Sequence, residues 1–523
     1  MLNKIKTITS KLLFVVAIIE IFFFFNFENV WATIILLSGW FLISNVVLTK
    51  RNMINYPVTF LMFFGLSYFH FVLPIPLTLI ELKPVTYNLT LPFETFLHHG
   101  LYLYVLVFTH FLYTNIFKVN PFRQFLKRTI YYKTPSNKQI WISSVLALSF
   151  SFYFYYIYGS WENYSEKNIF ITLGKTISIF LWMPMILPFV KVRNSNESFS
   201  KNTRLYIVTY FILVTIIAII SNWRTILFTG VVVFFTTYII GVLYGYYTPK
   251  NTIKRRRIPI YIFVFWLFTG PIMDLGTAMV VMRQTRYTES SEKFLAETLN
   301  VYADKEKLND YRELTANINS HKKIGQNWDE VYLDNYVLNR FSNMKISDNC
   351  IYYANKIGYA NPKLQVVFID KILSFIPGSI ASSLDIETKT RKEKYQSSIT
   401  DNLYSIAINN PNVKGSAIIG SIPGLGLAIF GYWYLLVIIP IFTFIFLIFD
   451  SFARPFKGKV YYSYYFFTSL FLIINFFNDR HVFTFELRWI LRTYFESTFI
   501  FIMTYYGIIK ISQTLFKTKN GRK

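Results

Sequence analysis

The sequence is poor in cysteine and in charge. Cys350 is the one cysteine among 523 residues, so an intramolecular disulfide and a thiolate metal cluster are both excluded. Charged residues make up 15% of the chain and hydrophobic residues 53%, with 55 Phe and 39 Tyr. A water-soluble surface does not easily cover that much apolar material. We therefore expect lipid to surround much of the chain.

Motifs that bind nucleotides or metals are also missing. The stretch Gly424-Leu425-Gly426 lacks the lysine of a phosphate-cradling loop, so chemistry driven by ATP is not expected. The chain has no Asp-x-Asp pair of the kind that metal-dependent nucleotide-sugar transferases use. His98-His99 has no third ligand at a recognisable spacing, and we interpret the pair as ordinary loop residues. The sequence predicts neither a cofactor nor a metal.

The chain does contain twelve apolar stretches of roughly the 20 residues that a membrane-spanning helix needs. They lie near 12–27, 30–48, 57–80, 100–117, 140–158, 169–190, 205–221, 226–247, 258–275, 426–449, 461–477 and 493–510. The sequence therefore predicts an all-α polytopic membrane protein of about 12 transmembrane helices.

The net charge of +25 is distributed in short basic runs between the apolar stretches. A nucleic-acid-binding protein would gather such charge on one folded surface, so nucleic acid is not an expected partner. Basic runs follow every second predicted helix, at 50–51, 118–138, 191–204, 250–257, 454–459 and 510–523. This alternation is typical of cytoplasmic loops. We predict that both termini are cytoplasmic.

Residues 276–415 differ from the rest because they hold 18 Lys and Arg against 16 Asp and Glu, more than half of the chain's 28 acids. Helical spacing of apolar residues predicts short amphipathic helices there. We expect three regions: transmembrane helices 1–9 in 1–275, an extracytoplasmic and mainly helical loop domain in 276–415, and helices 10–12 in 416–523. The last region begins with a segment that suggests a half-helix dipping into the membrane.

Several arginines are predicted at or near the outer face, where positive-inside statistics disfavour them. They are Arg224, Arg283, Arg286, Arg340, Arg480, Arg488 and Arg492. A guanidinium fork binds two phosphate oxygens at once, and ionisable groups at membrane depth indicate function. Two simpler interpretations stay open. Arg224 could anchor a helix at the interface, and Arg283 with Arg286 could form a solvated pair balanced by Glu289 and Glu292.

Segment 478–496 is the richest constellation in the chain. At helical spacing, His481, Arg488, Arg492 and Glu496 share one stripe, which we predict near the outer half of the last helix. The alternative interpretation is an internal ion pair between Arg492 and Glu496.

The predicted layout resembles that of the Wzy-type polymerases of bacterial O-antigen, capsule and exopolysaccharide pathways. The most similar residues are Gly415-Ser416-Ala417-Ile418-Ile419-Gly420 leading into Gly424-Leu425-Gly426, with Arg224 and Arg283 as candidate loop arginines. The resemblance covers most of the chain at the level of layout. It implies a multi-pass protein of the bacterial cytoplasmic membrane.

The resemblance also implies a mechanism in which a polyprenyl-pyrophosphate-linked glycan is the donor. A sugar hydroxyl of a second lipid-linked repeat unit attacks the anomeric carbon, and the lipid pyrophosphate leaves. Arg488 and Arg492, helped by Arg283 and Arg286, would hold the diphosphate. The candidate bases are His481, Asp479 and Glu486. A flippase and a chain-length regulator are the implied protein partners, and no metal is required.

Three alternatives remain open at this stage. A transporter or a flippase for lipid-linked oligosaccharides also suits a dozen helices, although such carriers usually have short loops. A ligase-like glycosyltransferase would share the arginine chemistry and differ in its acceptor. A purely structural scaffold would gain nothing from outward arginines.

Overall fold

A computed structural model describes residues 1–158, 174, 176–220, 224–248, 259, 262, 266, 270–282, 291–311, 328–342, 344–392, 397–416, 418–477 and 482–515. Helix predominates in them, which confirms the predicted helical class. The first half contains helices α1 Leu2–Phe23, α2 Phe27–Leu42, α3 Lys50–Asn55, α4 Pro57–Ser67, α5 Pro74–Ile80, α6 Pro92–Ile116, α7 Pro121–Leu126, α8 Asn137–Tyr158, α9 Lys201–Ile220 and α10 Arg224–Leu243.

The second half begins with a series of shorter helices. They are α11 Pro271–Val281, α12 Ser291–Ala303, α13 Tyr336–Phe341, α14 Lys345–Ile357, α15 Pro362–Ser374, α16 Gly378–Ser383, α17 Lys389–Lys392, α18 Ile399–Ile408 and α19 Ile422–Phe430. The chain then continues through α20 Tyr434–Asp450, strands β1 Ala453–Phe456 and β2 Lys459–Tyr462, and helices α21 Tyr464–Thr468, α22 Leu470–Ile474, α23 Phe483–Arg488 and α24 Tyr494–Leu515.

Among the described residues, four helical segments are long and apolar enough to cross a membrane. They are Phe27–Val47, Pro92–Ile116, Asn202–Ile219 and Ile422–Asp450. A fifth is present if the bent pair Pro57–Val72 and Pro74–Ile80 is one span. The described residues therefore contain helices typical of a membrane protein, in a smaller number than the twelve predicted for the whole chain.

Two predicted helices are interrupted in the structure. The run 461–477 begins in β2 and continues as α21 and α22, two helices of five residues each. The described part of 169–190 contains turns and the short 3₁₀ helix Met183–Ile186. Most of 258–275 lies outside the described residues. Apolar composition alone thus overestimates the number of regular spans.

Proline and π-helical turns shape the first spans. Pro57 and Pro92 stand in the first turns of α4 and α6, where a missing backbone N–H costs nothing. The segments Ile43–Val47 and Tyr68–Val72 are π-helical and extend α2 and α4. Helix α6 packs between α2 and α20, which gives the bundle its core.

The region predicted as a loop domain is built from the expected short helices, α12 to α18. Helices α14, α15 and α18 all pack against α19, which is buried from Ile422 to Ile429. Gly424 allows the closest approach, because a Cβ built there would lie 2.2 Å from Cys350 Cβ. Helix α19 is therefore the central helix of this domain, and through the turn Gly431–Trp433 it leads directly into α20.

A β-hairpin follows α20 and carries the basic residues of 454–459. Strands β1 and β2 pair antiparallel, with Ala453 opposite Tyr462. Lys457 and Gly458 form the turn with φ of 48° and 74°. Positive φ at both turn residues is the backbone of the tight turns that match strand twist. The prediction from sequence contained no strand at this position.

Candidate functional site

A buried carboxylate attaches the domain formed by α13–α19 to the helix bundle. Asp348 on α14 is fully buried and accepts hydrogen bonds from the backbone N–H groups of Thr90 at 2.9 Å and Leu91 at 2.7 Å. These groups precede α6, so the carboxylate lies at the helix N-terminus, where negative charge is stabilised. Lys345 Nζ is 2.8 Å from the Asp348 carboxylate and 3.1 Å from Thr90 Oγ1.

A second attachment joins the loop after α5 to the start of α13. The carboxylate of Glu81 accepts hydrogen bonds from the backbone N–H groups of Asp334 and Asn335, at 3.0 and 2.8 Å. Lys83 forms ion pairs with Glu81 at 3.1 Å and Asp334 at 2.5 Å. Burial alone would lower the pKa of Lys83, but these two carboxylates raise it above its usual value. The domain is thus held to the bundle at two places.

The glycine-rich segment singled out in the sequence wraps around another buried carboxylate. Asp401, in the first turn of α18, accepts hydrogen bonds from Gly415 N at 3.3 Å and Ile418 N at 2.8 Å. It also forms a reciprocal cap with Ser398. These two hydrogen bonds tie the backbone of this segment to the first turn of α18.

The same segment meets the beginning of the last long helix. A Cβ built on Gly420 would lie 3.1 Å from Val482 Cγ1. The rings of Phe430 and Phe483 are 5.5 Å apart, so the end of α19 also contacts α23. The structure therefore brings together the two stretches that the sequence analysis selected separately, 415–426 and the region that begins at 478.

Glu486 on α23 is the candidate base that the structure describes. It is fully buried, and neither carboxylate oxygen has a hydrogen-bond partner among the described residues. An ionised carboxylate is very costly to bury, so these surroundings disfavour the charged form of Glu486. The other candidates, Asp479 and His481, lie outside the described residues.

Comparison with known proteins gives no relative. No family model, curated protein or solved structure matches this chain.

Residues that flank Arg488 and Arg492 contact the C-terminal end of α20. The ring of Trp489 is 5.4 Å from that of Phe449, and the hydroxyl of Tyr494 is 3.0 Å from Ser451 Oγ. These contacts are made beside the basic hairpin 453–462. The outward position of the two arginines and the cytoplasmic position of the hairpin both stay predictions.

The predicted stripe is also changed in geometry. Residues Trp489–Thr493 are π-helical, so a spacing of four residues no longer follows an α-helical face. Arg488 is exposed, while Arg492 Nε donates to Glu496 Oε1 at 2.7 Å. The internal ion pair, which was the alternative interpretation, is thus present. It is half exposed, and pairs of this kind contribute little to stability.

The remaining predicted arginines lack a described side chain. Arg224 is the first residue of α10 and Arg340 lies in α13, but their side chains lie outside what the structure describes. The same is true of the whole of Arg283, Arg286 and Arg480.

His98 and His99 lie in α6 rather than in a loop, and both are buried. His98 Nδ1 is 3.1 Å from the hydroxyl of Tyr434. Within the described part of the chain no three His, Cys, Asp or Glu side chains are grouped as a metal site.

Sequence reasoning missed the buried acids Asp348 and Asp401. Each is one of many charges in a segment with the composition of a soluble domain. No local pattern distinguishes Asp348. Asp401 could have been found, because Ser398 and Asp401 have the spacing of a capping box.

Proposed function

We propose that this chain polymerises polyprenyl-pyrophosphate-linked oligosaccharide repeat units at the outer side of a bacterial cytoplasmic membrane. The observation that carries the proposal is the contact between the glycine-rich segment and the start of α23. The residues that resemble the Wzy-type polymerases thereby adjoin the helix that bears Glu486 and follows Asp479, Arg480 and His481.

The proposal includes a topology of about twelve membrane helices with cytoplasmic termini and 276–415 outside. The contacts of the described residues support two distinct faces. On one face, Arg123 Nη2 donates to the carbonyl of Asp450 at 2.9 Å, and the hydroxyl of Tyr244 donates to the carbonyl of Met53 at 2.6 Å. These partners adjoin basic runs. The domain formed by α13–α19 contacts the opposite end of α6 through Asp348.

In this proposal the guanidinium groups that hold the diphosphate are those of Arg480, Arg283 and Arg286, with Arg488, two residues after Glu486, as a further candidate. Arg492 pairs with Glu496. A charge-assisted hydrogen bond to phosphate contributes about 1.5–3 kcal/mol. Glu486 would act as the general base that accepts the proton of the attacking sugar hydroxyl once substrate enters.

The test is a series of substitutions in cells that make the cognate glycan. Arg480→Ala and Glu486→Gln should reduce the long polymer to single repeat units. Arg492→Ala is the matched control and should leave the polymer-length ladder unchanged, because its side chain pairs with Glu496. Membrane abundance of each variant is measured in parallel. A normal ladder from both Arg480→Ala and Glu486→Gln would discard the assignment.

A transporter or flippase for lipid-linked oligosaccharide is the second candidate. Glu486 favours it, because a buried carboxyl that has no hydrogen-bond partner among the described residues is typical of proton-coupled carriers. The two functions differ in where single repeat units accumulate when the gene is deleted. A polymerase leaves them on the outer side of the membrane, a flippase on the inner side. A ligase-like transferase would instead leave finished polymer on its lipid carrier.

A further inference from the structure

Two exposed aromatic side chains stand at the turn between α19 and α20. Tyr432 is 61% exposed and Trp433 is 73% exposed. The ring of His98 stacks against that of Tyr432, with a centroid distance of 5.9 Å and an interplanar angle of 29°. The ring of Tyr359 lies nearly perpendicular to that of Tyr432, at 5.7 Å between centroids and 86°. Two ring contacts therefore orient Tyr432 while most of its side chain stays exposed.

The support for this ring comes from three separate parts of the chain. His98 belongs to α6, Tyr359 to the turn after α14, and Tyr432 to the turn before α20. His98 is itself fixed by the hydroxyl of Tyr434. Burial, Tyr432 and the carboxylate of Glu94 raise the pKa of Tyr359, which places an acidic group near the same rim.

Exposed tyrosine and tryptophan at the start of a span are common as anchors at the membrane interface. An anchor needs neither a stacked partner beneath it nor a contact with a domain outside the span. A cavity of about 450 Å³ is lined by Lys356, Asn361 and Lys363 among others. These residues lie two to four positions from Tyr359 in the sequence. The volume of the cavity is within the range of about 300–1,000 Å³ for small-molecule sites. These features indicate a ligand rather than lipid.

We propose that Tyr432 and this cavity form an oligosaccharide-binding subsite. The apolar face of a pyranose ring carries weakly positive C–H groups, which suit the negative face of an aromatic ring. The ammonium groups of Lys356 and Lys363 can only donate hydrogen bonds, so they suit sugar hydroxyl or carboxylate oxygens. The subsite rests on the proposed function, in which it positions the glycan part of a lipid-linked repeat unit.

The subsite is tested by measuring binding to the purified full chain in detergent. The probe is the oligosaccharide mixture released by mild acid from the surface polysaccharide of the cells that carry the gene, with affinity measured by thermophoresis. Tyr432→Ala should weaken binding about three- to tenfold, the range expected for loss of one aromatic contact. Tyr432→Phe keeps the ring and should bind as the wild type does. Tyr506→Ala is the control, since Tyr506 is exposed on α24.

Two further outcomes decide the proposal. If Tyr432→Ala does not fold, the double variant Lys356→Gln/Lys363→Gln takes its place, because both side chains are exposed, and it should also lose affinity. Absence of binding by the wild type, or equal binding by all variants, would overturn the subsite. Binding that depends on Tyr432 together with a normal polymer ladder in cells from which the gene is deleted would keep the subsite and discard the polymerase.

Discussion

Asp348→Asn should destabilise the attachment of the domain formed by α13–α19 to the helix bundle. The asparagine keeps the shape of the side chain but removes the charge that neutralises Lys345, and both residues are buried. Removing one partner of a buried ion pair costs about 3–5 kcal/mol. The chain has 523 residues, and an unfolding entropy of about 2.1 cal/mol/K per residue gives about 1.1 kcal/mol/K. The expected decrease of the melting temperature is therefore about 3–5 °C.

The measurement is thermal unfolding of the purified protein in detergent, followed by tryptophan fluorescence. Asp385→Asn is the matched control, because Asp385 is exposed in the same domain, and its effect should stay within about 0.5 kcal/mol. The double variant Lys345→Met/Asp348→Asn removes both charges, keeps a side-chain acceptor for the N–H groups of Thr90 and Leu91, and should recover part of the loss. A melting temperature for Asp348→Asn equal to that of Asp385→Asn would refute this reasoning.

Two shorter predictions concern the same domain. Gly424→Ala should strongly lower the yield of folded protein in size-exclusion chromatography, because the new methyl would lie 2.2 Å from Cys350 Cβ. Gly378→Ala is the control and should be tolerated, because a Cβ there would have no atom within 4 Å. Burial alone would raise the pKa of Asp370, but hydrogen bonds from Thr390 lower it overall. The contribution of Asp370 to stability is therefore full above the unfolded pKa of about 3.9, and it disappears as the pH falls through the pKa of the folded state. In thermal melts, Asp370→Asn should be less stable than the wild type at pH 7 and equal to it in strong acid.

The spans that could be predicted are those whose apolar run is uninterrupted. Runs 30–48, 100–117 and 205–221 appear as long apolar helices. Run 461–477 is equally apolar but broken, and the backbone of Ile474 approaches Gly65 so closely that a Cβ there would lie 1.9 Å from the Ile474 carbonyl oxygen. Hydropathy measures how apolar a segment is and does not tell whether lipid or protein covers it.

The candidate site was harder to predict because it depends on where each residue lies along the axis of the helix bundle. The offsets between His481, Arg488 and Arg492 define a face only if the helix is regular throughout, and the π-helical turn at 489–493 breaks that regularity. The contact of Trp489 with Phe449 then sets the level of the arginines, and it joins residues 40 positions apart in the chain. By contrast, the importance of 415–426 could be inferred from its glycines, because close packing requires them.

Helix α19 is at once the central helix of one domain and the first part of the segment that continues into α20. Any excised version of 276–415 would lack this helix and leave the apolar sides of α14, α15 and α18 uncovered, so the isolated region should aggregate rather than fold. The domain is also joined to α20 by only a single turn at Gly431–Trp433, which leaves no linker on which it could swing as an independent body. A ligand that shifts the domain would therefore also shift α20, because the two are directly connected.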